Sequence, residues 1–160
     1  MDKLGLRLQM IERRGQLNDA QVTLASASVA KRLLGVLDWS KVHSLHLYES
    51  SSAWKEVQTE PFIAFLKQAY PAITIVKGPV LKNSPIPAKK FDVVVVPLLA
   101  FDKRCNRLGF GGGWYDKFLA AQPNAVTVGL AYDFQLIPAI PAEPHDVRLT
   151  KVVTESQVYG

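Results

Sequence analysis

The chain has 160 residues, 48% of them hydrophobic, which suits one domain whose core needs no disulfide or metal. No run approaches the roughly 20 apolar residues of a membrane span, and the N-terminus lacks a signal peptide's apolar segment, so we expect a cytoplasmic protein. The single cysteine, Cys105, agrees with a reducing compartment. The net charge of +5 favours anionic partners and leaves nucleotides, polycarboxylates and nucleic acids open.

The first segment has the pattern of an amphipathic helix. Leu4, Leu8 and Ile11 recur at positions i, i+4 and i+7, which predicts that these three residues form its apolar stripe. Lys3 and Arg7 lie one turn apart on the same helix.

A second helix is predicted directly afterwards. Asn18 and Gln21 have the spacing of a capping pair. The apolar positions that continue its helical face are Val22, Ala25, Val29, Leu33 and Leu37.

Strands and helices then alternate along the chain. Strands are predicted at 43–48, 73–77, 93–96 and 126–132 and near Val152, helices at 59–69 and 115–121, and a proline-containing loop at 78–90. The four valines of 93–96 show no polar alternation, which is typical of a strand buried on both faces. We therefore expect one α/β domain over residues 1–160, a three-layer α/β/α arrangement with a mainly parallel sheet.

Four glycines lie in the segment Arg107–Asp116, between the valine strand and the next helix. Residues without Cβ let backbone N–H groups turn toward a ligand oxygen, so this segment predicts an anion site at the end of a strand. Known phosphate loops fit poorly, because Trp114 follows Gly113 where a P-loop needs Lys and the dinucleotide pattern needs glycine. For the glycines alone, a flexible turn or bulge is an equally good interpretation.

Two charged residues bracket this segment. Arg107 offers a bidentate donor for phosphate, and Asp116 places a carboxylate in the first turn of the next helix. A carboxylate facing phosphate repels it unless Mg²⁺ lies between them, so the pair indicates a nucleotide bound with its metal. From spacing alone, a solvated arginine and an aspartate that favours the helix dipole fit as well.

The segments Val96–Asp102 and Asn106–Asp116 resemble the signature of the 5-formyltetrahydrofolate cyclo-ligases, also called methenyltetrahydrofolate synthetases. Further similar pieces, in order along the chain, are Lys3 with Arg7, Glu56–Thr59 and Asp133–Glu155. The resemblance implies an enzyme that uses Mg²⁺ and ATP to convert 5-formyltetrahydrofolate into 5,10-methenyltetrahydrofolate, releasing ADP and phosphate. It also implies phosphoryl activation of the formyl oxygen without a covalent enzyme intermediate.

The resemblance further implies roles for individual residues. Those for ATP binding are Lys3, Arg7, Arg107, Leu108, Gly109, Phe110, Gly111, Gly112, Gly113, Trp114 and Tyr115. Those for folate binding are Arg7, Glu56, Phe110, Gly112 and Trp114. Arg107 and Tyr115 are implied in catalysis, and Asp116 and Asp146 as magnesium ligands. Glu56 would accept hydrogen bonds from pterin N–H groups.

The chain departs from the family pattern in several places. The stretch 76–90 is shorter than usual and lacks a Gly-Ile-x-Glu-Pro element, which affects the expected folate pocket. Trp114 replaces a usual Tyr, Thr150 replaces a usual Asp, and Gly112 stands where some members have Lys. Without that Lys, the other basic residues of the site must neutralise more of the phosphate charge.

The histidines and aromatic residues give weaker indications. His43 and His46 are three apart and would point to opposite faces of a strand, which disfavours a zinc site. His145 is interpreted as a loop histidine without a catalytic role. The aromatic candidates for the wall of a pterin pocket are Tyr48, Trp54, Trp114 and Tyr115.

Two other functions remain open from the sequence. One is a nucleotide-binding phosphotransferase that acts on another substrate, and the other is a non-catalytic basic module that binds nucleic acid. The basic residues form no stripe and no RNA-binding aromatic motif is present, which disfavours the second. We expect a monomer with small-molecule substrates and without nucleic-acid or membrane partners.

Overall fold

The computed structural model describes residues 1–160 and contains four α-helices and eight β-strands. The helices are α1 (Lys3–Gly15), α2 (Asp19–Leu34), α3 (Glu60–Ala69) and α4 (Trp114–Ala120). The strands are β1 (Ser44–Leu47), β2 (Thr74–Lys77), β3 (Val93–Pro97), β4 (Ala100–Phe101), β5 (Arg107–Leu108), β6 (Val126–Leu130), β7 (Lys151–Val153) and β8 (Val158–Tyr159). None of the helices has both the length and the apolar composition that crossing a membrane requires.

Six strands form one sheet in the order β2-β1-β3-β6-β7-β8, and every neighbouring pair is parallel except β7 and β8. The chain places β2 on one side of β1 and then crosses back to place β3 on the other side. This reversal opens a crevice outside the carboxyl ends of β1 and β3, where ligands bind in sheets of this kind. The predicted mainly parallel α/β fold is confirmed.

Successive valines of β3 face opposite sides of the sheet. Val93 and Val95 pack in a core with α2 and α3, whereas Val94 and Val96 pack in a second core with α4. All four are buried, as the run without polar alternation predicts. The two cores account for the three layers expected from the sequence.

The apolar stripe predicted for α1 is wrong. Leu4 and Leu8 are 61% and 60% exposed, whereas Leu6, Met10 and Arg14 are buried. This buried face packs against the antiparallel hairpin of β4 and β5. The pattern pointed to the wrong stripe because a charged residue, Arg14, occupies one position of the true one.

The start of α2 agrees with the sequence. The Asn18 side chain accepts a hydrogen bond from the Gln21 N–H at 2.8 Å, and the Gln21 side chain accepts one from the Asn18 N–H at 2.9 Å. This reciprocal pair satisfies two backbone donors that a helix start otherwise leaves free. The helix ends at Leu34, so Leu37 lies beyond it.

The later predicted elements are all present, with bounds that differ only at their ends. The hairpin of β4 and β5 and the antiparallel strand β8 were not predicted. Each of these strands has 2 residues, too few to show a period of hydrophobicity.

Candidate active site

A cavity of about 790 Å³ lies outside the carboxyl ends of β1, β2 and β3. Helix α1 and the glycine loop, defined here as Gly109–Gly113, form part of its wall. Every residue to which the resemblance gives a role lines this one cavity, from Lys3 to Asp146. The fold therefore brings together side chains that lie far apart in the sequence.

The conformation of the glycine loop favours glycine at positions 109 and 113 in particular. Gly113 has a φ of +76° at the start of α4, in the left-handed region that other residues enter only with strain. A Cβ built on Gly109 would lie 2.6 Å from Nη2 of Arg107. Glycine at 109 thus lets the guanidinium lie directly against the loop.

Arg107 extends from β5 into the cavity wall, and its position is fixed by several contacts. Its Nε donates to the Pro97 carbonyl at 3.0 Å, and its Nη1 lies 3.5 Å from Oδ1 of Asp116. The guanidinium also lies 5.4 Å from the centre of the Tyr115 ring. Burial lowers the pKa of Arg107, and the Asp116 carboxylate opposes that shift, so a fixed positive charge faces the cavity.

Two aromatic residues tie the first turn of α4 to the loop after β2. The Tyr115 hydroxyl donates to the Gly78 carbonyl at 3.1 Å, and Nε1 of Trp114 donates to the Ser84 carbonyl at 2.9 Å. Burial raises the pKa of Tyr115 far above its ordinary value, so its hydroxyl stays protonated. The phenol can donate a hydrogen bond but cannot act as a base.

One face of α1 turns toward the cavity. Lys3, Arg7 and Ile11 repeat every four residues and all line it. Nε of Arg7 donates to the Gly109 carbonyl at 2.9 Å, which joins the helix to the glycine loop. The two basic residues that the sequence placed on one helical turn therefore both reach the site.

Lys3 meets two carboxylates at the other side of the cavity. Its Nζ lies 2.7 Å from Oδ2 of Asp146 and 3.4 Å from Oε1 of Glu143. Burial alone would lower the pKa of Lys3, but the hydrogen bonds and charges of these carboxylates hold it above its ordinary value. Burial correspondingly favours a higher pKa for Asp146, yet Lys3 and the Glu143 N–H hold it below the ordinary value.

Asp116, His145 and Asp146 each offer one ligand atom, and these atoms lie within 4.8 Å of one another. The two carboxylates face Lys3 and Arg107, and a bound phosphate that takes over these basic groups would leave the carboxylates free for a divalent cation. Carboxylate oxygens beside a phosphate site are the ligands that Mg²⁺ prefers, so the residues present fit this ion. His145, interpreted from the sequence as an ordinary loop residue, lies beside both carboxylates.

Glu56 lies at a different part of the cavity wall. It is buried, and its Oε1 accepts a hydrogen bond from the Ser51 N–H at 3.1 Å, which leaves acceptor capacity for a ligand. Burial raises the pKa of Glu56, while the Ser51 hydrogen bond and the charge of Arg14 oppose the shift. The carboxylate suits a ligand that presents N–H donors.

The four aromatic candidates all line the cavity, with different surroundings. Tyr48 is buried and its hydroxyl donates to the Val57 carbonyl, so this side chain is part of the core as well as the wall. Trp54 packs edge-on against Phe110 of the glycine loop, with ring centroids 5.5 Å apart. These rings give the Glu56 side a flat apolar lining.

Some cavity residues were not singled out from the sequence. Residues 78–82, treated there only as a loop, form part of the wall, and so do Glu49 and Glu143. Residues 78–82 follow the carboxyl end of β2, a position where ligand contacts are expected in a parallel sheet. That placement was the available signal.

The cavity therefore combines two chemistries. One part holds fixed cations and paired carboxylates, an arrangement that suits polyphosphate with a divalent cation. The other part offers a buried acceptor and aromatic walls, which suit a flat heterocycle with N–H donors. No serine or cysteine lines the cavity to act as a nucleophile, so positioning two substrates against each other is the chemistry that the arrangement favours.

Comparison with known proteins finds relatives of this chain in one enzyme family. A model of the 5-formyltetrahydrofolate cyclo-ligase family matches residues 66–155. A 5-formyltetrahydrofolate cyclo-ligase of Escherichia coli is 43% identical over 76 residues, which make up 46% of this chain and 42% of that protein. A 5-formyltetrahydrofolate cyclo-ligase of Haemophilus influenzae is matched over 37% of its length, so the alignments with these two relatives span less than half of each protein. A 5-formyltetrahydrofolate cyclo-ligase of Mycoplasma genitalium is 30% identical over 164 residues, 96% of this chain and 98% of that protein.

Solved structures give the same result. A 5,10-methenyltetrahydrofolate synthetase from Mycoplasma pneumoniae superposes with a TM-score of 0.81 at 26% identity, covering 98% of this chain and 100% of that chain. The family match covers more than half of the chain, and the Mycoplasma genitalium alignment covers nearly all of it. The chain therefore belongs to the 5-formyltetrahydrofolate cyclo-ligase family.

Proposed function

We propose that this protein converts 5-formyltetrahydrofolate into 5,10-methenyltetrahydrofolate at the expense of ATP, with Mg²⁺ bound by Asp116 and Asp146. Family membership supports the reaction. The observation that carries the proposal for this chain is the meeting, in one cavity, of Arg107, Lys3 and the paired carboxylates with the buried acceptor Glu56.

The proposed reaction has two steps. The formyl oxygen attacks the γ-phosphorus of ATP, the bond to the β–γ bridging oxygen breaks, and ADP leaves. N10 of the folate then attacks the activated carbon, the carbon–oxygen bond breaks, and phosphate leaves with the former formyl oxygen. N10 loses its proton, so the atoms and charges balance without a covalent bond to the protein.

The residues of the chain serve these steps by placement and charge. Arg107 and Lys3 hold phosphate oxygens and stabilise the negative charge that develops during transfer. Glu56 orients the pterin through its N–H groups. The neutral Tyr115 hydroxyl donates its one proton to Gly78 and can accept a hydrogen bond beside Arg107. Bound Mg²⁺ would neutralise phosphate charge next to Asp116 and Asp146.

The test mixes purified protein with 5-formyltetrahydrofolate and follows the ultraviolet absorbance of the methenyl product. Reactions contain Mg²⁺ and ATP together, or lack one of them. We expect product only when both are present. No product in the complete mixture would contradict the proposal, and ATP binding without folate turnover would indicate a phosphotransferase acting on another substrate. Strongly salt-dependent nucleic-acid binding would instead support the basic module.

A further inference from the structure

Arg14, near the C-terminal end of α1, is a buried charge with few partners. It is only 2% exposed. Nη1 donates to the Leu98 carbonyl at 3.2 Å, whereas Nε and Nη2 are buried without any hydrogen-bond partner. Because a guanidinium cannot lose its proton in a protein, these unpaired N–H groups belong to a full positive charge.

The one hydrogen bond of Arg14 does not explain its presence. The Leu98 carbonyl also accepts from Nε2 of Gln135 at 3.0 Å, so it stays satisfied without the arginine. Burying a charge without a partner opposes folding, and an apolar side chain of similar size is often equally good or better for stability. An arginine buried in this way therefore indicates a role other than stabilising the folded state.

The position of Arg14 on α1 relates it to the cavity. It lies seven residues after Arg7 and three after Ile11, which both line the cavity, so all three share one side of the helix. Arg14 thus extends the basic side that begins with Lys3. Unlike those residues, it does not itself line the cavity.

Arg14 contacts the wall of the cavity through Phe110 of the glycine loop. The guanidinium carbon lies 5.5 Å from the centre of the Phe110 ring, and that ring lines the cavity. Phe110 is 41% exposed, and besides Arg14 its ring contacts the ring of Trp54. A ring so exposed, on a loop rich in glycine, can turn aside at small cost.

Glu56 identifies the part of the cavity that Arg14 adjoins. Each of the two groups shifts the pKa of the other, yet no ion pair joins them. Arg14 contacts the Phe110 ring, and Phe110 and Glu56 line the same cavity. The buried donor and the buried acceptor both have unused hydrogen-bonding capacity. Together they match a ligand edge on which a carbonyl oxygen neighbours N–H groups.

We propose that Arg14 is a substrate-binding residue that donates from Nε and Nη2 to a carbonyl oxygen of the bound heterocycle, once Phe110 has turned aside. The inference rests on the proposed function, in which that heterocycle is the pterin of 5-formyltetrahydrofolate. The lactam edge of a pterin has an oxygen acceptor beside the N–H groups assigned to Glu56. Arg14 and Glu56 then both form hydrogen bonds with this edge, and the ligand supplies the acceptor that the guanidinium lacks.

The test compares the wild type with Arg14→Met and with Arg13→Met, a control for the exposed neighbouring arginine. Calorimetry measures the affinity for 5-formyltetrahydrofolate with Mg²⁺ and a non-hydrolysable ATP analogue present, and separately for the analogue. We expect Arg14→Met to weaken folate binding about tenfold or more, in line with the loss of a charged hydrogen bond. Its affinity for the analogue and its midpoint of thermal unfolding should not fall, and Arg13→Met should bind as the wild type does.

Wild-type folate affinity in Arg14→Met would overturn the inference, and so would a joint loss of analogue affinity and folded stability. If the variant does not fold, Arg14→Lys decides, because it keeps the charge but cannot place both donors. Weaker binding of folate alone then supports the inference, and unchanged binding overturns it. A wild type that binds the analogue but not folate would overturn the proposed function itself, and this inference with it.

Discussion

Asp116 and Asp146 are held by basic side chains before any ligand binds. Lys3 contacts Asp146 at 2.7 Å, and Arg107 lies 3.5 Å from Asp116. A ligand that brings both phosphate and a divalent cation can take over both sets of charges, phosphate on the cations and metal on the carboxylates. The side chains are thus placed in advance for a metal-bound nucleotide.

Asp116→Asn should lower the turnover rate by about 100-fold or more. The substitution replaces a charged carboxylate ligand of the proposed Mg²⁺ by a neutral amide. The Asp116 carboxylate lies 3.5 Å from the buried Arg107 side chain, so its neutralisation should also cost about 1 kcal/mol of unfolding free energy, less than the loss in rate corresponds to. Steady-state rates and urea unfolding measure the two effects.

The matched control is Asp92→Ala. The Asp92 carboxylate accepts from the backbone N–H groups of His43 and Ser44 at 2.7 Å and 3.1 Å and does not line the cavity. This variant should lose stability and keep its rate. An Asp116→Asn enzyme as fast as the wild type would rule out the metal assignment.

Glu56 should make folate binding depend on pH. Burial raises its pKa above the ordinary 4.5, so as the pH falls the group takes up a proton earlier than an exposed glutamate. The protonated acid accepts hydrogen bonds from the pterin N–H groups poorly. The KM for folate should therefore rise as the pH is lowered toward 4.5. Glu56→Gln should have a high KM that varies little over this range.

As the pH falls, Glu56 should weaken folate binding but stabilise the unliganded protein. A carboxyl whose pKa is raised by folding binds its proton more tightly in the folded state, so this group adds stability as the pH falls through its folded pKa. A KM that stays constant in the wild type over the same range would contradict the assigned role of Glu56. Thermal unfolding at each pH separates the effect on binding from any loss of fold.

The glycine loop and the first turn of α4 predict a contrast between neighbouring glycines. Gly113 has a φ of +76°, whereas Gly112 has no such angle, and a Cβ on either would meet open space. Gly113→Ala should therefore cost about 1 kcal/mol of unfolding free energy through backbone strain alone, and Gly112→Ala should leave it nearly unchanged. Urea unfolding of the two variants is the measurement, and equal stabilities would show that the loop relaxes.

Helix α1 shows which elements the sequence could predict. Its presence followed from periodicity, but its buried face did not, because Arg14 is buried and the exposed leucines Leu4 and Leu8 mimic a stripe. Pattern rules assume that an arginine faces water, and they fail where a cavity and a core meet along one helix. Strands β4, β5 and β8 were missed because two residues carry no pattern.

The site was predictable in two unequal parts. The glycines with Arg107 indicated phosphate from their own chemistry, and the cavity does contain them. The grouping of Lys3 with Asp146, 143 residues apart, came only from family resemblance, because no local spacing encodes such a distant contact. Arg14 is a third basic residue in helical register with Lys3 and Arg7, which the sequence alone could show. Its importance becomes clear only from its burial in the structure.

The whole molecule places these residues through strand order. The alternation of strands and helices predicted the parallel sheet, but not which strands are neighbours. The reversal between β1 and β3 opens the crevice, and the hairpin of β4 and β5 carries Arg107 into it. Helix α1 then lies across the hairpin and adds its basic residues. The cavity is thus a product of topology, which no short segment encodes.

The most direct measurement follows oxygen from the substrate. The protein would be given 5-formyltetrahydrofolate labelled with ¹⁸O in the formyl group, with Mg²⁺ and unlabelled ATP, and the released phosphate would be analysed by mass spectrometry. Phosphoryl activation of the formyl oxygen predicts one labelled oxygen in the phosphate for each methenyl product formed. Product accompanied by unlabelled phosphate would contradict the proposed chemistry, and the absence of product would contradict the proposed function.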